Sequence, residues 1–191
     1  MKTDITIQSI YAGLFLFVAC FIGIMLELFS LVVILTHFLP GLILGFIITQ
    51  SITHPVSDKK KILFILCSTG IHIACVFLAD VFKNDEIWIP IKLIIASTTG
   101  ALLLALAYDL LIMKKVSLSQ TVLVPMVIGI VSSLLSAICL YYMHQFGFDQ
   151  ELLEKFQWAG IFSIFPFWFY LFALKIKISN KSAPRSNFNF N

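Results

Sequence analysis

The residues able to do chemistry in this chain are ionisable side chains set inside long apolar runs. His72 is the sharpest case. It lies ten residues from either end of an apolar segment, 62–82. A neutral imidazole there can relay protons, hold a ligand, or donate one hydrogen bond to a neighbouring carbonyl or serine and do nothing more. His37 stands about seven residues inside another apolar segment. Glu27 and Asp80 fall near segment ends, Lys92 is one turn into its segment, and Asp109 is near the far end of the same one. An ionisable group within a membrane span costs roughly 2.5–3.5 kcal/mol on insertion scales unless it is paired or hydrated. Such residues are therefore candidates for ligand contact.

Motif chemistry is otherwise sparse. There is no H-E-x-x-H, no G-x-S-x-G, no phosphate loop and no dinucleotide fingerprint. His72 and Cys75 are i, i+3 on one helix, and two ligands alone are a weak metal signal. The serines at 132, 133 and 136 have no base evident in the sequence. No metal or cofactor is expected, and an intramembrane enzyme with a dispersed site is the least favoured class. The four cysteines all sit in apolar runs without C-x-x-C spacing and read as small packing residues.

The segments that must position these residues follow from composition. Of 191 residues, 60% are apolar and 12% charged, about half the charge of a soluble domain. Several runs reach the roughly 20 residues that cross a bilayer. The expected fold is all-α: a helical membrane bundle with six transmembrane helices. Residues 1–178 form one transmembrane domain, and 179–191 a short, polar, disordered tail. The first run is too long for a signal peptide and lacks a cleavage site, so it reads as a retained span. The block 9–53 is too long for one crossing and must turn. The favoured turn is "ELFS" at 27–30, with Ser30 as helix cap. The other placement is "HFLPG" at 37–41. Later spans fall at about 62–82, 88–113, 120–144 and 157–176.

Ten basic residues, including Lys59–Lys61, Lys114, Lys115, Lys175 and Lys177, fall on one side of this threading. Lys83, Lys92 and Lys155 fall on the other. The positive-inside rule then puts both ends in the cytoplasm. A net charge of +3 is explained by topology and not by nucleic acid, which is excluded as a partner. Trp88, Trp158, Tyr141 and Tyr142 mark the outer interface. The outer loop 145–158 reads as a short surface helix capped by Asp149. The aromatics of the last span read as a lipid-facing wall.

Small residues mark the packing faces. Gly41 and Gly45 form a GxxxG pair, and Gly129, Ser133 and Ala137 a second row. Pro125 is placed in a first turn. Asp109 is expected to reach the interface beside Lys114 and Lys115, and Lys92 to snorkel or pair with Asp80.

On this threading Glu27, His37, Asp80, Lys92 and His144 share the outer half, with His72 below them. They are the candidate ligand-binding or proton-relay set of an outward-facing polar cavity, provided that the first four spans are neighbours. The leading expectation is a small transport or ligand-binding component of a cell membrane, which small size and short loops place in a bacterial inner membrane. The alternative is a protein that binds another membrane protein or its own copy, as an assembly factor, regulator or toxin-immunity partner. That class calls for an exposed GxxxG or serine stripe.

Overall fold

The structure, a computed structural model, describes residues 4–81, 89–114, 117–145, 162 and 164–182. Its elements are α1 (Ile5–Met25), α2 (Phe29–His37), α3 (Leu39–Gln50), α4 (Asp58–Val81), α5 (Ile89–Tyr108), α6 (Val124–Gln145) and α7 (Ile164–Ser182). Short π-helical stretches, Asp109–Met113 and Leu118–Leu123, extend α5 and precede α6. Among the described residues there is no strand. Trp88 and residues 146–158 of the loop expected to form a surface helix lie outside the described residues, as do the side chains of Asp80, Tyr141 and His144.

Among the described residues five stretches are long and apolar enough to cross a membrane: Ile5–Met25, Ser30–Gln50, Asp58–Leu78, Ile91–Met113 and Leu118–Ile138. The burial pattern makes the same point without hydropathy. On α1 the buried stripe is Ser9, Gly13, Leu16, Cys20 and Gly23, spaced by four and three, while Tyr11, Phe15, Val18 and Ile22 face outward. On α6 the serines at 132, 133 and 136 are buried, while Val127, Val131 and Leu134 are exposed. Small and polar residues inside, large apolar residues outside, is an arrangement suited to lipid and costly in water. The chain is built as a membrane protein.

The first block turns at Leu26–Leu28, where Glu27 takes a left-handed conformation with φ 58°. This is the 27–30 region favoured from sequence, but the cap differs. Ser30 lies inside α2, and the capping position is Leu28, with no side-chain bond. The second crossing is two helices. Pro40 sits at the start of α3, and α2 and α3 stay linked through Phe38 N–H to Ile34 O and Leu42 N–H to Phe38 O. A proline ring displaces the carbonyl four residues back and kinks the helix there.

Pro125 also differs from expectation. The helical run begins at Leu118, so Pro125 is well inside it and fully buried. The run reaches it in π register, with Val124 N–H bonded to Ser119 O. α7 continues to Ser182, so residues 179–182 are helical.

Consecutive helices pack as antiparallel neighbours: α1 with α2 and α3, α3 with α4, α4 with α5, α5 with α6. α7 packs along α1 and α6 and touches α3. Its Phe169, Phe172, Ala173 and Ile176 have no exposed surface. The aromatic wall expected to face lipid is therefore divided: Phe167 and Tyr170 are exposed, while Phe165, Trp168, Phe169 and Phe172 lie at the centre of the bundle. The reason is stoichiometric: α1, α3 and α6 present small residues inward, and the large rings of α7 fill the space these leave. A Cβ on Gly13 would stand 2.6 Å from the Cα of Pro166, which shows how close α1 and α7 come. The Lys177 ammonium bonds Asp4 at 2.5 Å, so the start of α1 and the end of α7 share one end of the bundle.

Candidate functional site

The site begins with a carbonyl that lost its donor. In an unbroken helix the Thr36 carbonyl would accept from the N–H of residue 40, and Pro40 has none. His72, from α4, supplies the replacement: its Nε2 lies 2.7 Å from Thr36 O. A carbonyl only accepts, so Nε2 carries the proton and Nδ1 keeps a bare lone pair. His37 is fixed in the opposite sense. Its Nδ1 lies 2.8 Å from Val33 O, so Nδ1 carries the proton and Nε2 is bare. The Thr36 hydroxyl also bonds within its own helix, to Val32 O at 2.8 Å.

Helix contacts hold this geometry. A Cβ on Gly41 would stand 2.6 Å from Ser68 O and 2.9 Å from the His72 Cβ, so glycine here lets α4 approach closely enough for His72 to reach Thr36. Ser68 Oγ donates to Gly41 O at 2.7 Å. Gly45 continues the contact, with the Ile65 Cα 3.0 Å from its would-be Cβ. Across the bundle, a Cβ on Gly129 would stand 2.3 Å from the Thr98 Cα, and Ser97 meets Ser132 at 3.1 Å. Ser133 donates to Gly129 O at 2.7 Å within α6, and Ala137 is buried on the same face.

These helices enclose a partly open cavity of about 220 Å³. α2 contributes Thr36 and His37, and α4 contributes His72 and Cys75. From α5 come Ser97 and Gly100; the opposite wall is Phe165 and Trp168 of α7, with Phe162 ahead of them. The His72 ring centre is 5.9 Å from that of Phe165 and 6.4 Å from that of Trp168. The cavity is an aromatic slot with imidazoles on one side. Among the described residues no group of three or more His, Cys, Asp or Glu is placed to hold a metal ion.

Of the five candidates from sequence, His37 and His72 meet at this cavity. Glu27 is exposed on the α1–α2 turn and does not line it. Lys92 is half-buried on α5, one residue from the lining Leu93, and is held by an interaction of its own. The Asp80 side chain lies outside the described residues. The cavity is also far less polar than expected, because the α7 rings Phe165 and Trp168, with Phe162 ahead of them, form one of its walls.

No protein-family model, curated protein or solved structure matches this chain.

A second polar centre was not anticipated. Asp109, at the end of α5, is buried and accepts from Lys175 at 3.4 Å and from Thr121 at 2.5 Å. Lys175 is buried too, with its ammonium 5.4 Å from the Tyr108 ring centre. Of the expected neighbours, Lys115 lies outside the described residues and Lys114 is exposed, in a left-handed conformation that closes the π-helical turn on Asp109 O. One signal in the sequence points to Lys175. It falls on the 3–4 spaced stripe Phe165, Trp168, Phe172, Lys175, the same face as the rings of the core. His54 closes the same end of the bundle, with Nε2 3.2 Å from Ile112 O.

Proposed function

We propose that this is a multi-pass membrane protein of the transport or ligand-binding kind, and that the cavity between α2, α4, α5 and α7 is where its small-molecule ligand sits. The observation that carries the reading is the cavity itself: a partly open space of about 220 Å³ at the level of His72, bounded by four helices and walled by Phe165 and Trp168. Interiors are otherwise packed with few voids larger than a water molecule, and binding sites between helices combine apolar walls with a few placed polar groups. In the orientation set by the basic residues, Asp4 and Lys177 lie at the cytoplasmic end. α7 is the sixth crossing, and the cavity lies toward the outer half.

The partner-binding alternative called for an exposed small-residue stripe. Gly41, Gly45 and the α6 serines are all buried between helices of the same chain, which leaves that reading without the surface it needs.

Bromobenzene tests the proposal, since bromine quenches tryptophan fluorescence on contact. In nanodiscs, a Trp88→Phe/Trp158→Phe chain reports on Trp168 alone. Saturable quenching that Gly100→Leu abolishes supports the site. Linear, non-saturating quenching, unchanged by Gly100→Leu, means that the probe meets Trp168 only by collision from lipid and refutes it.

A further inference from the structure

The chemical class of the ligand can be taken further, on the footing that the cavity is a binding site. Both imidazoles at the cavity are locked by their backbone partners into tautomers that leave one nitrogen bare. His72 donates through Nε2 to the carbonyl orphaned by Pro40, and His37 donates through Nδ1 to Val33 O. Among the described residues no hydrogen bond reaches His72 Nδ1 or His37 Nε2. Neither histidine has a donor left to offer, so a hydrogen-bond acceptor on a ligand finds no partner in them. A donor finds two. Among the described residues the lining contains no carboxylate, so a cation held by them would be desolvated without a counter-charge, which is costly in a low-dielectric site. As to size, an apolar cavity of about 150 Å³ admits benzene, and one of about 220 Å³ has room for a substituted single ring.

We infer that the cavity selects uncharged, ring-sized apolar molecules that carry a hydroxyl, and that His72 and His37 accept its hydrogen bond while the α7 aromatics hold the ring. A phenol is the simplest member of this class. The Trp168 indole N–H is also without a partner among the described residues, but a hydroxyl and an ether oxygen can both accept from it; methylating the hydroxyl removes only the bond donated to the imidazoles, and with it the advantage.

Three probes of one shape, read by quenching of Trp168 in the nanodisc system above, test this directly: 4-bromophenol, 4-bromoanisole and 4-bromobenzyltrimethylammonium. Each affinity is corrected for the probe's partition into empty nanodiscs. The expected result is that 4-bromophenol binds roughly tenfold more tightly than 4-bromoanisole, the scale of one well-made hydrogen bond. The ammonium should bind more weakly than either. The preference should fall to about twofold or less in the His37→Leu/His72→Phe double variant, which removes both acceptors, with the circular dichroism melt confirming a folded chain. Equal, saturable binding of phenol and anisole overturns the donor selectivity and leaves the binding site standing. Tightest binding by the ammonium overturns it in favour of a cation site. An absence of saturable binding by all three, and by bromobenzene, overturns the site itself.

Discussion

Replacing Lys175 with methionine isolates the energetics of the buried charge pair. The Lys175 side chain is 2% exposed and that of Asp109 6%, with Nζ and Oδ1 3.4 Å apart. At an effective dielectric of about 20 their attraction is roughly 5 kcal/mol, and desolvation of both groups offsets much of it. Removing one partner leaves the desolvation of the other unopposed. Lys175→Met should therefore cost about 3–5 kcal/mol, and Asp109→Leu a similar amount. The double variant, with both charges replaced by apolar groups, should come within about 1–2 kcal/mol of the natural chain, because it removes cost and gain together. One term does not cancel. Thr121 donates to Asp109 at 2.5 Å, and the double variant leaves its hydroxyl proton without that acceptor, while the oxygen still accepts from the Ser117 N–H at 3.1 Å. The assay is reversible unfolding in mixed detergent and SDS micelles, read as a double-mutant cycle. If each single variant loses less than about 1 kcal/mol, or the two losses simply add, Asp109 and Lys175 are not a desolvated pair and the reasoning fails.

Further outcomes follow from the close contacts and the tied ends. Gly41→Ala and Gly129→Ala should each destabilise by about 2 kcal/mol or more, because the new methyl meets backbone at 2.6 Å and 2.3 Å. Gly70→Ala, where nothing lies within 4 Å, should stabilise by about 0.5–1 kcal/mol through helix propensity; the same unfolding assay ranks all three. Nitrogen-15 NMR should find His72 as the Nε2–H tautomer and His37 as Nδ1–H, and Pro40→Ala should release His72 by restoring the helix's own donor to Thr36 O. The Asp4 carboxyl, hydrogen-bonded first by Lys177 and then by the Thr6 N–H, is lowered from 3.8 to about 2. A depressed folded value means that the tie between α1 and α7 is fully present above pH 3.8 and is lost as pH falls through about 2. Spin-label distances between the two helix ends should lengthen over that interval, and Asp4→Asn should abolish the pH response.

Much of the frame was legible in the sequence because lipid imposes it. Apolar length marks the five candidate spans, and the turn near Glu27 follows from halving an overlong block. What linear reasoning lacks is azimuth, the direction each helix faces. That Pro40 strips Thr36 O of its donor can be read from the sequence, but that His72 arrives to replace it depends on the rotation of α4. The same gap misassigned α7. Hydropathy sees rings all round the helix and suits them to lipid, whereas the small inward residues of α1, α3 and α6 require a large partner at the centre. Charge counting places Lys175 with the basic tail, and nearness in sequence places Asp109 beside Lys114 and Lys115. Helix geometry instead aims Lys175 inward along the stripe of Phe165, Trp168 and Phe172, where Asp109 is the acid that it meets.

Single cysteines in a chain whose native cysteines are replaced test the underlying threading most directly. Glu27→Cys, Lys59→Cys and Arg185→Cys are labelled with a membrane-impermeant maleimide from each face of sealed vesicles. The account predicts that Lys59→Cys and Arg185→Cys react from the cytoplasmic face and Glu27→Cys from the opposite one. Labelling of all three from one face would mean that the chain does not cross the bilayer as described, and the cavity would then lack the membrane setting on which its proposed chemistry depends.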